Sequence, residues 1–254
     1  MHPPRGTALA RLRARRHLRH ARPDELIWLF DLDNTLHDCS KGIFQAIDSA
    51  MSHAVANALR LPMDQANLLR KTYWQRYGAT VIGMARHHGV NPQEFLAMSH
   101  DFHVPPLVHG ETGLRNALVR LPGRKVLLTN APLDYARQVL DTLNLTELFE
   151  GLWAIDHMHL QGQMKPKPSL ALMKQIRAQL AVPAGHIVLV EDTLHNLKTA
   201  HQTGMQTVHI YHPGTPFASG YKGRNQYVSL RVNSIRELAQ RYRELNIPGT
   251  RDRA

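Results

Sequence analysis

The sequence predicts an α/β fold in which a parallel sheet is covered by helices on both faces and an α-helical bundle is inserted after the first strand. Three observations carry this. Short apolar runs recur along the chain and each stops on polar or turn residues; segments with apolar residues at helical spacing fill the gaps; and the first gap is far longer than a crossover helix needs.

The first run, Leu26 to Leu36, reads LIWLFDLDNTL. Large and β-branched side chains bounded by polar residues suit a buried parallel strand, which presents ligand-binding groups at its carboxyl end. Four more candidate strands follow at Lys125–Thr129, Leu152–Ile155, His186–Val190 and Gln206–Ile210. Helical spacing is expected over Pro132–Leu143, Pro168–Leu180 and Leu194–Gln202, with Gly204 as the stop of the third. About ninety residues separate the first two strands, where a crossover connection needs only a dozen or so. From Lys41 to about His103 the pattern is helical, with turns at Leu61-Pro62, Gly89 and Asn91-Pro92, so a bundle of about four helices is expected. A surface helix is expected over Ser234–Leu245. The resulting organisation is a basic tail over 1–23, an α/β core over 24–36 and 105–230, a helical cap over 37–104, and a C-terminal helix and tail over 231–254.

Composition narrows the function. With 43% apolar residues the chain can build a core. It has no run approaching the roughly 20 apolar residues of a membrane span and no secretory signal pattern, so a cytoplasmic protein without a membrane partner is expected. The single cysteine, Cys39, excludes an internal disulfide and a multi-cysteine metal site. The net charge of +11 is mostly local: residues 1 to 22 carry seven arginines and no acid, while the remainder holds 24 basic against 20 acidic residues. The arginine-rich stretch is read as a solvated, disordered tail, against an RNA-binding arm or a transit segment; it lacks aromatic residues for base stacking and the serines of a transit peptide, so a nucleic-acid partner is not expected.

Four polar clusters close four of the strands. Asp31 and Asp33 point to one side of an extended chain, which crowds two carboxylates and calls for a cation, a proton or a phosphate nearby; the competing reading is an aspartate-capped turn. Thr129 and Asn130 end the second strand just before a helix, where hydroxyl, amide and free backbone N–H groups suit an anion or serve as an ordinary N-cap. Lys165 and Lys167 lie in MKPKPS, and pattern alone does not choose between them as the partner of a fixed negative charge. Glu191 and Asp192 end the fourth strand and, with the first pair, offer the hard oxygen ligands that Mg²⁺ prefers at about 2.1 Å.

The order Asp31-Leu32-Asp33-Asn34-Thr35, Thr129-Asn130, Lys165-Pro166 and Glu191-Asp192 with Asn196 resembles the haloacid dehalogenase superfamily, over about Leu26 to Tyr211. Within it the chain is most similar to the pyrimidine 5′-nucleotidase group, on the stretch Tyr77-Gly78-Ala79-Thr80, the segment Leu128-Thr129-Asn130-Ala131, and the acidic pair followed by Asn196. Relatives outside that group commonly carry an aspartate at the position of Leu197.

This resemblance implies a Rossmann-like core with a helical cap and a Mg²⁺-dependent phosphatase. Asp31 would attack phosphorus to form an aspartyl phosphate, and Asp33, protonated at the outset, would first protonate the leaving group and then activate water. Thr129, Asn130 and Lys165 would hold the phosphoryl group. Asp31, Asp33 through its carbonyl, Asp192 and, as an outer contact, Glu191 would hold the metal, with Asn196 supporting it by hydrogen bonding. The dehalogenases that resemble this chain release halide and lack the second aspartate, which favours phosphatase. The expected substrate is a pyrimidine nucleoside monophosphate such as UMP or CMP, with phosphoglycolate or a sugar phosphate as the alternative small phosphorylated metabolite. His37, Asp38, Tyr73, Trp74, Arg76 and Tyr77 are candidates to meet a base or ribose. A reading of another class is an inactive or RNA-binding protein that uses the arginine-rich tail.

Overall fold

The computed structural model describes residue 22, residues 24–211 and residues 226–248. The arginine-rich stretch over residues 1–21 lies outside them.

The core is a six-stranded sheet of β1 (Ile27–Phe30), β2 (Arg124–Leu128), β3 (Gly151–Trp153), β6 (Ile187–Glu191), β7 (Gln206–Ile210) and β8 (Leu230–Val232), in the order β3-β2-β1-β6-β7-β8. Every neighbouring pair is parallel, and Ile27 of the central β1 lies between Arg124 and Ile187. Successive side chains of β1 alternate between two apolar layers. Trp28 and Phe30 join Leu127, Val188 and Val190 on one face, under α5 (Leu114–Arg120), α6 (Leu133–Thr142) and α9 (Ile235–Arg241). Ile27 and Leu29 join Val126, Leu128 and Leu189 on the other, under α7 (Leu170–Leu180) and α8 (Leu194–His201). Burial on both faces is why β1 reads as an unbroken apolar run, each large side chain contributing about 1.5–3 kcal/mol. Trp28 still satisfies its one polar atom, its indole N–H donating to the Pro122 carbonyl at 2.7 Å.

Between β1 and β2 stand α1 (Ile43–Leu59), α2 (Met63–Tyr77), α3 (Thr80–His88) and α4 (Pro92–Ser99). They enclose their own core of Ala54, Val55, Ala66, Tyr73, Val81, Met84, Phe95 and Leu96, into which Ile155 of the α/β part inserts. Left-handed residues end three of these helices, Arg60, Gly78 and Gly89. The α4 start is capped by the Asn91 side chain, which accepts from the N–H groups of Gln93 and Glu94, with Pro92 at the first position. Gly83 lets α3 close on α2: a Cβ there would lie 2.2 Å from Cγ of Tyr73.

Four elements were not expected from the sequence: α5, the two-residue strands β4 (His159–Leu160) and β5 (Gln163–Met164), and β8. The last extends the sheet past residue 230: β8 pairs with β7, and Leu230, Val232, Ile235 and Leu238 are buried with Trp28 and Leu118, so the expected C-terminal helix packs on this apolar layer.

Candidate active site

The site gathers at the carboxyl ends of β1, β2 and β6, the edge toward which parallel strands direct their free ends. The Asp31 N–H continues the ladder by donating to the Val190 carbonyl at 3.0 Å, so the residue is fixed to β6 before its side chain is considered. That side chain is buried and faces the Lys167 ammonium, whose Nζ lies 2.7 Å from Oδ1 of Asp31 and 2.7 Å from Oε2 of Glu191. Asn130 holds the lysine from behind. Its amide donates to the Lys167 carbonyl and accepts from the Lys167 N–H, each at 2.9 Å. Thr129 is buried at the end of β2, and its hydroxyl accepts from the Ala131 N–H at 3.0 Å.

The lysine at the site is therefore Lys167. Lys165, expected to hold the phosphoryl group, is exposed, and its backbone N–H is spent on the Met158 carbonyl at 2.7 Å. Pro166 and Lys167 turn inward while Lys165 faces solvent, a difference of burial that two lysines flanking one proline do not disclose in sequence.

Three carboxylates against one ammonium leave an excess of negative charge. One oxygen from each of Asp31, Glu191 and Asp192 falls within a span of 4.8 Å. Burial, reinforced by the Glu191 carboxylate, holds the Asp31 pKa well above its ordinary value despite Lys167. Burial likewise raises Glu191, and burial with Asp31 pushes Asp192 up to about 6. Lys167 moves the other way for a base: burial opposes its charge, but Asp31 and then Glu191 more than compensate, and its pKa is raised. A hard divalent cation fits this donor set, all oxygen and over-negative. Of these three carboxylates, Asp31 and Asp192 could hold it. Glu191 is otherwise engaged, since Oε2 meets Lys167 and Oε1 accepts from the Thr193 N–H at 3.2 Å. Thr193 also donates its hydroxyl to Asp192 at 3.2 Å, and Asn34 donates to the other Asp192 oxygen at 3.4 Å. Thr193 and Asn34 thus fix the orientation of the Asp192 carboxylate.

Asp33 does not share the Asp31 environment, which corrects the expectation of mutual crowding. Its Oδ1 accepts from the Tyr135 hydroxyl at 2.7 Å and the Cys39 thiol at 3.3 Å, and lies 2.9 Å from His37 Nε2. Burial alone would raise its pKa, but the His37 bond and charge, then Tyr135 and Cys39, outweigh burial and lower it. These three donors on one oxygen favour the charged form of Asp33, the opposite direction from the one crowding by Asp31 would give.

Behind Asp192 stands a chain that ends at the sheet edge. Arg231 Nε, which can only donate, meets His209 Nδ1 at 3.1 Å, so His209 carries its hydrogen on Nε2 and donates it to the Asp192 carbonyl at 3.0 Å. Protonating Nδ1 would abolish that acceptor beside a guanidinium, and burial followed by Arg231 brings the His209 pKa down to about 4. A depressed histidine contributes stability that is complete above its unfolded value and lost as pH falls toward the folded one. Between pH 6.5 and 4, wild-type protein should therefore lose up to about 3 kcal/mol relative to His209→Gln, measured by denaturant unfolding at each pH.

One turn of the helical insertion lies against the loop that carries Lys167. A Cβ on Gly78 would stand 3.4 Å from the Lys167 carbonyl, so the Tyr77–Thr80 turn abuts the loop that carries the lysine. Of the residues considered for base or ribose contact, Tyr73 is buried in the insertion with its hydroxyl on His88 at 2.7 Å. Tyr77 bonds His87 at 2.6 Å with Arg76 over its ring, Trp74 is half exposed, and Asp38 caps a short helical turn at Cys39–Lys41. His37 is buried against Asp33, Cys39 and Tyr135. Sequence reasoning did not assign Lys167, Tyr135, Thr193 or His209 to the site; only Lys167 carried a signal, as the rival of Lys165.

A family model described as haloacid dehalogenase-like hydrolase matches residues 28–210. Phosphate metabolism protein 8 of Saccharomyces cerevisiae is 23% identical over 205 residues, a stretch that covers 75% of this chain and 62% of the yeast protein. This chain thus spans less than two thirds of that relative. Among solved structures it is similar to CbbY from Rhodobacter sphaeroides in complex with phosphate, at 16% identity and a TM-score of 0.57 over 84% of this chain and 96% of that one. It is also similar to L-2-haloacid dehalogenase from Xanthobacter autotrophicus, at 16% identity and a TM-score of 0.55 over 87% and 99%. Identities this low establish a common fold. No helix among the described residues is long and apolar enough to cross a membrane.

Proposed function

The chain belongs to the haloacid dehalogenase-like hydrolase family, and from that premise we propose that it is a Mg²⁺-dependent phosphatase acting on a small phosphomonoester through an aspartyl phosphate on Asp31. The observation that carries this reading is a division of labour two residues apart. Asp31 is a buried carboxylate ion-paired at 2.7 Å with Lys167, whereas Asp33 has one oxygen bonded and its side chain 26% exposed. A nucleophile and a separate proton carrier are what hydrolysis of an alkyl phosphate needs and release of a halide does not.

Asp31, Asp192 and the Asp33 carbonyl would hold Mg²⁺, which when bound supplies Lewis-acid stabilisation of negative charge on the phosphoryl oxygens. Lys167 neutralises charge on the opposite side of Asp31 and orients its oxygen for in-line attack. Thr129 and Asn130 line the phosphoryl pocket from β2, Thr129 through its hydroxyl and Asn130 chiefly by fixing the lysine. Asp33 delivers a proton to the departing alkoxide, then withdraws one from the water that releases phosphate. Asp33 holds that proton against the three donors on its Oδ1, and the arrival of the negatively charged ester beside it favours the protonated form. Positioning and electrostatics carry most of the acceleration.

The substrate proposed first is a pyrimidine nucleoside 5′-monophosphate, UMP or CMP, on the strength of the Tyr77–Thr80 turn lying against the Lys167 loop; phosphoglycolate or a sugar phosphate is the alternative. A cytoplasmic setting accompanies this reading. Purified protein should release phosphate from at least one of UMP, CMP, phosphoglycolate and a sugar phosphate when Mg²⁺ is present, and lose that activity on chelation. Turnover of a 2-haloacid with no turnover of any phosphomonoester would overturn it.

A further inference from the structure

The proton carrier is held by a clamp that touches only one of its two oxygens. His37 Nε2 at 2.9 Å, the Tyr135 hydroxyl at 2.7 Å and the Cys39 thiol at 3.3 Å converge on Oδ1 of Asp33. Among the described residues Oδ2 has no hydrogen-bond partner, although the Asp33 side chain is 26% exposed while that of His37 is fully buried. The clamp is itself supported. Tyr135 projects from α6 and is 2% exposed, and its ring packs against His100 at 5.4 Å and Phe102 at 6.2 Å, on the segment where the chain returns from the helical insertion. Cys39 and His37 are tied to the loop after β1, where the Cys39 N–H donates to Asn34 at 3.2 Å.

Resting on the phosphatase reading above, we infer that His37 and Tyr135 are positioning residues that immobilise Oδ1 of Asp33 and so assign Oδ2 as the oxygen that carries the proton. Neither clamp residue reaches the substrate, since both are buried behind the carboxylate. A carboxylate anchored by three donors on one oxygen cannot flip, and the same atom must then serve both half-reactions. In the first, the ester P–O bond and the Oδ2–H bond break, the Asp31 oxygen bonds phosphorus, and the proton leaves with the alkoxide as an alcohol. In the second, a water O–H bond breaks, its proton returns to Oδ2, and the water oxygen bonds phosphorus as the bond to Asp31 breaks.

The test uses leaving groups that differ in their need for a proton. An alkyl phosphate expels a strongly basic alkoxide; p-nitrophenyl phosphate expels a weakly basic phenolate. The full-length protein and its Tyr135→Phe, His37→Ala and His37→Gln variants are assayed for kcat/KM, which reports phosphorylation of Asp31, on p-nitrophenyl phosphate and on whichever alkyl ester the wild type hydrolyses. Tyr135→Phe and His37→Ala should lose at least about 10-fold more on the alkyl ester than on p-nitrophenyl phosphate, part of the roughly 10²–10⁴ that a positioned acid supplies. His37→Gln, which keeps a side-chain N–H, should recover part of the loss. Equal losses on both esters would make the clamp merely structural, and no loss on either would make it dispensable; both results overturn the inference while leaving the phosphatase reading intact. A wild-type protein that turns over neither ester overturns the phosphatase reading, and this inference with it.

Discussion

Asp31→Asn should lower phosphatase activity by at least about 10⁴-fold, because the amide is isosteric but cannot attack phosphorus. The same substitution should not weaken the fold. Asp31 lies in a buried group of three carboxylates with one ammonium, and burial together with Glu191 already opposes its ionisation. Removing one charge relieves that opposition and leaves Lys167 paired with Glu191 at 2.7 Å. The melting temperature should therefore stay the same or rise as activity disappears, the pattern of a site whose function is maintained against stability. Thermal unfolding and phosphate release measured on the same preparation check both halves. A variant that loses activity only in proportion to a fall in folded protein would place Asp31 in the scaffold instead.

Lys167→Met should damage both properties, and Lys165→Met neither. Lys167 is 1% exposed and compensates two buried carboxylates at once. Removing one member of a buried ion pair leaves uncompensated charge and typically costs about 3–5 kcal/mol, partly relieved here as Asp31 or Glu191 takes a proton. A protonated Asp31 is also a poor nucleophile, so activity should fall by roughly 10²-fold or more even in the molecules that remain folded. Lys165 is exposed and contributes through its backbone, so its side chain should be replaceable within a few tenths of a kcal/mol and a few-fold in activity. Lys167→Arg separates the two effects: it preserves the charge while changing its shape, and should restore more stability than activity. Comparable losses for the two lysines would contradict the assignment.

These two lysines also mark where sequence reading stops. The apolar runs of β1 and β6 were legible because both faces of those strands are buried, which leaves no polar alternation to obscure them. Asp31, Asp33, Glu191 and Asp192 were legible for the same reason, as the first polar residues after such runs. Choosing Lys167 over Lys165 required knowing that both amide groups of Asn130 bond the backbone of Lys167, a contact across 37 positions. The surroundings of Asp33 differ from the crowding that spacing suggests, because its Oδ1 meets His37, four positions on, and Tyr135, 102 positions away, and neither contact follows from a two-residue spacing of aspartates. In the same way β8 is three residues long with Arg231 at its centre, too short and too polar in the middle to register as a strand, and only pairing with β7 defines it.

A covalent phosphoryl group at Asp31 is the central requirement of the proposed mechanism. Protein mixed with Mg²⁺ and a turned-over phosphomonoester, quenched in acid within one turnover and treated with borohydride, should yield a peptide in which residue 31 has been reduced to homoserine. That product should form in wild type and be absent in Asp31→Asn, with no reduction at residue 33, as the proposed mechanism requires. Hydrolysis that proceeds at the full rate with no reducible adduct at residue 31, or with the adduct at another carboxylate, would contradict it.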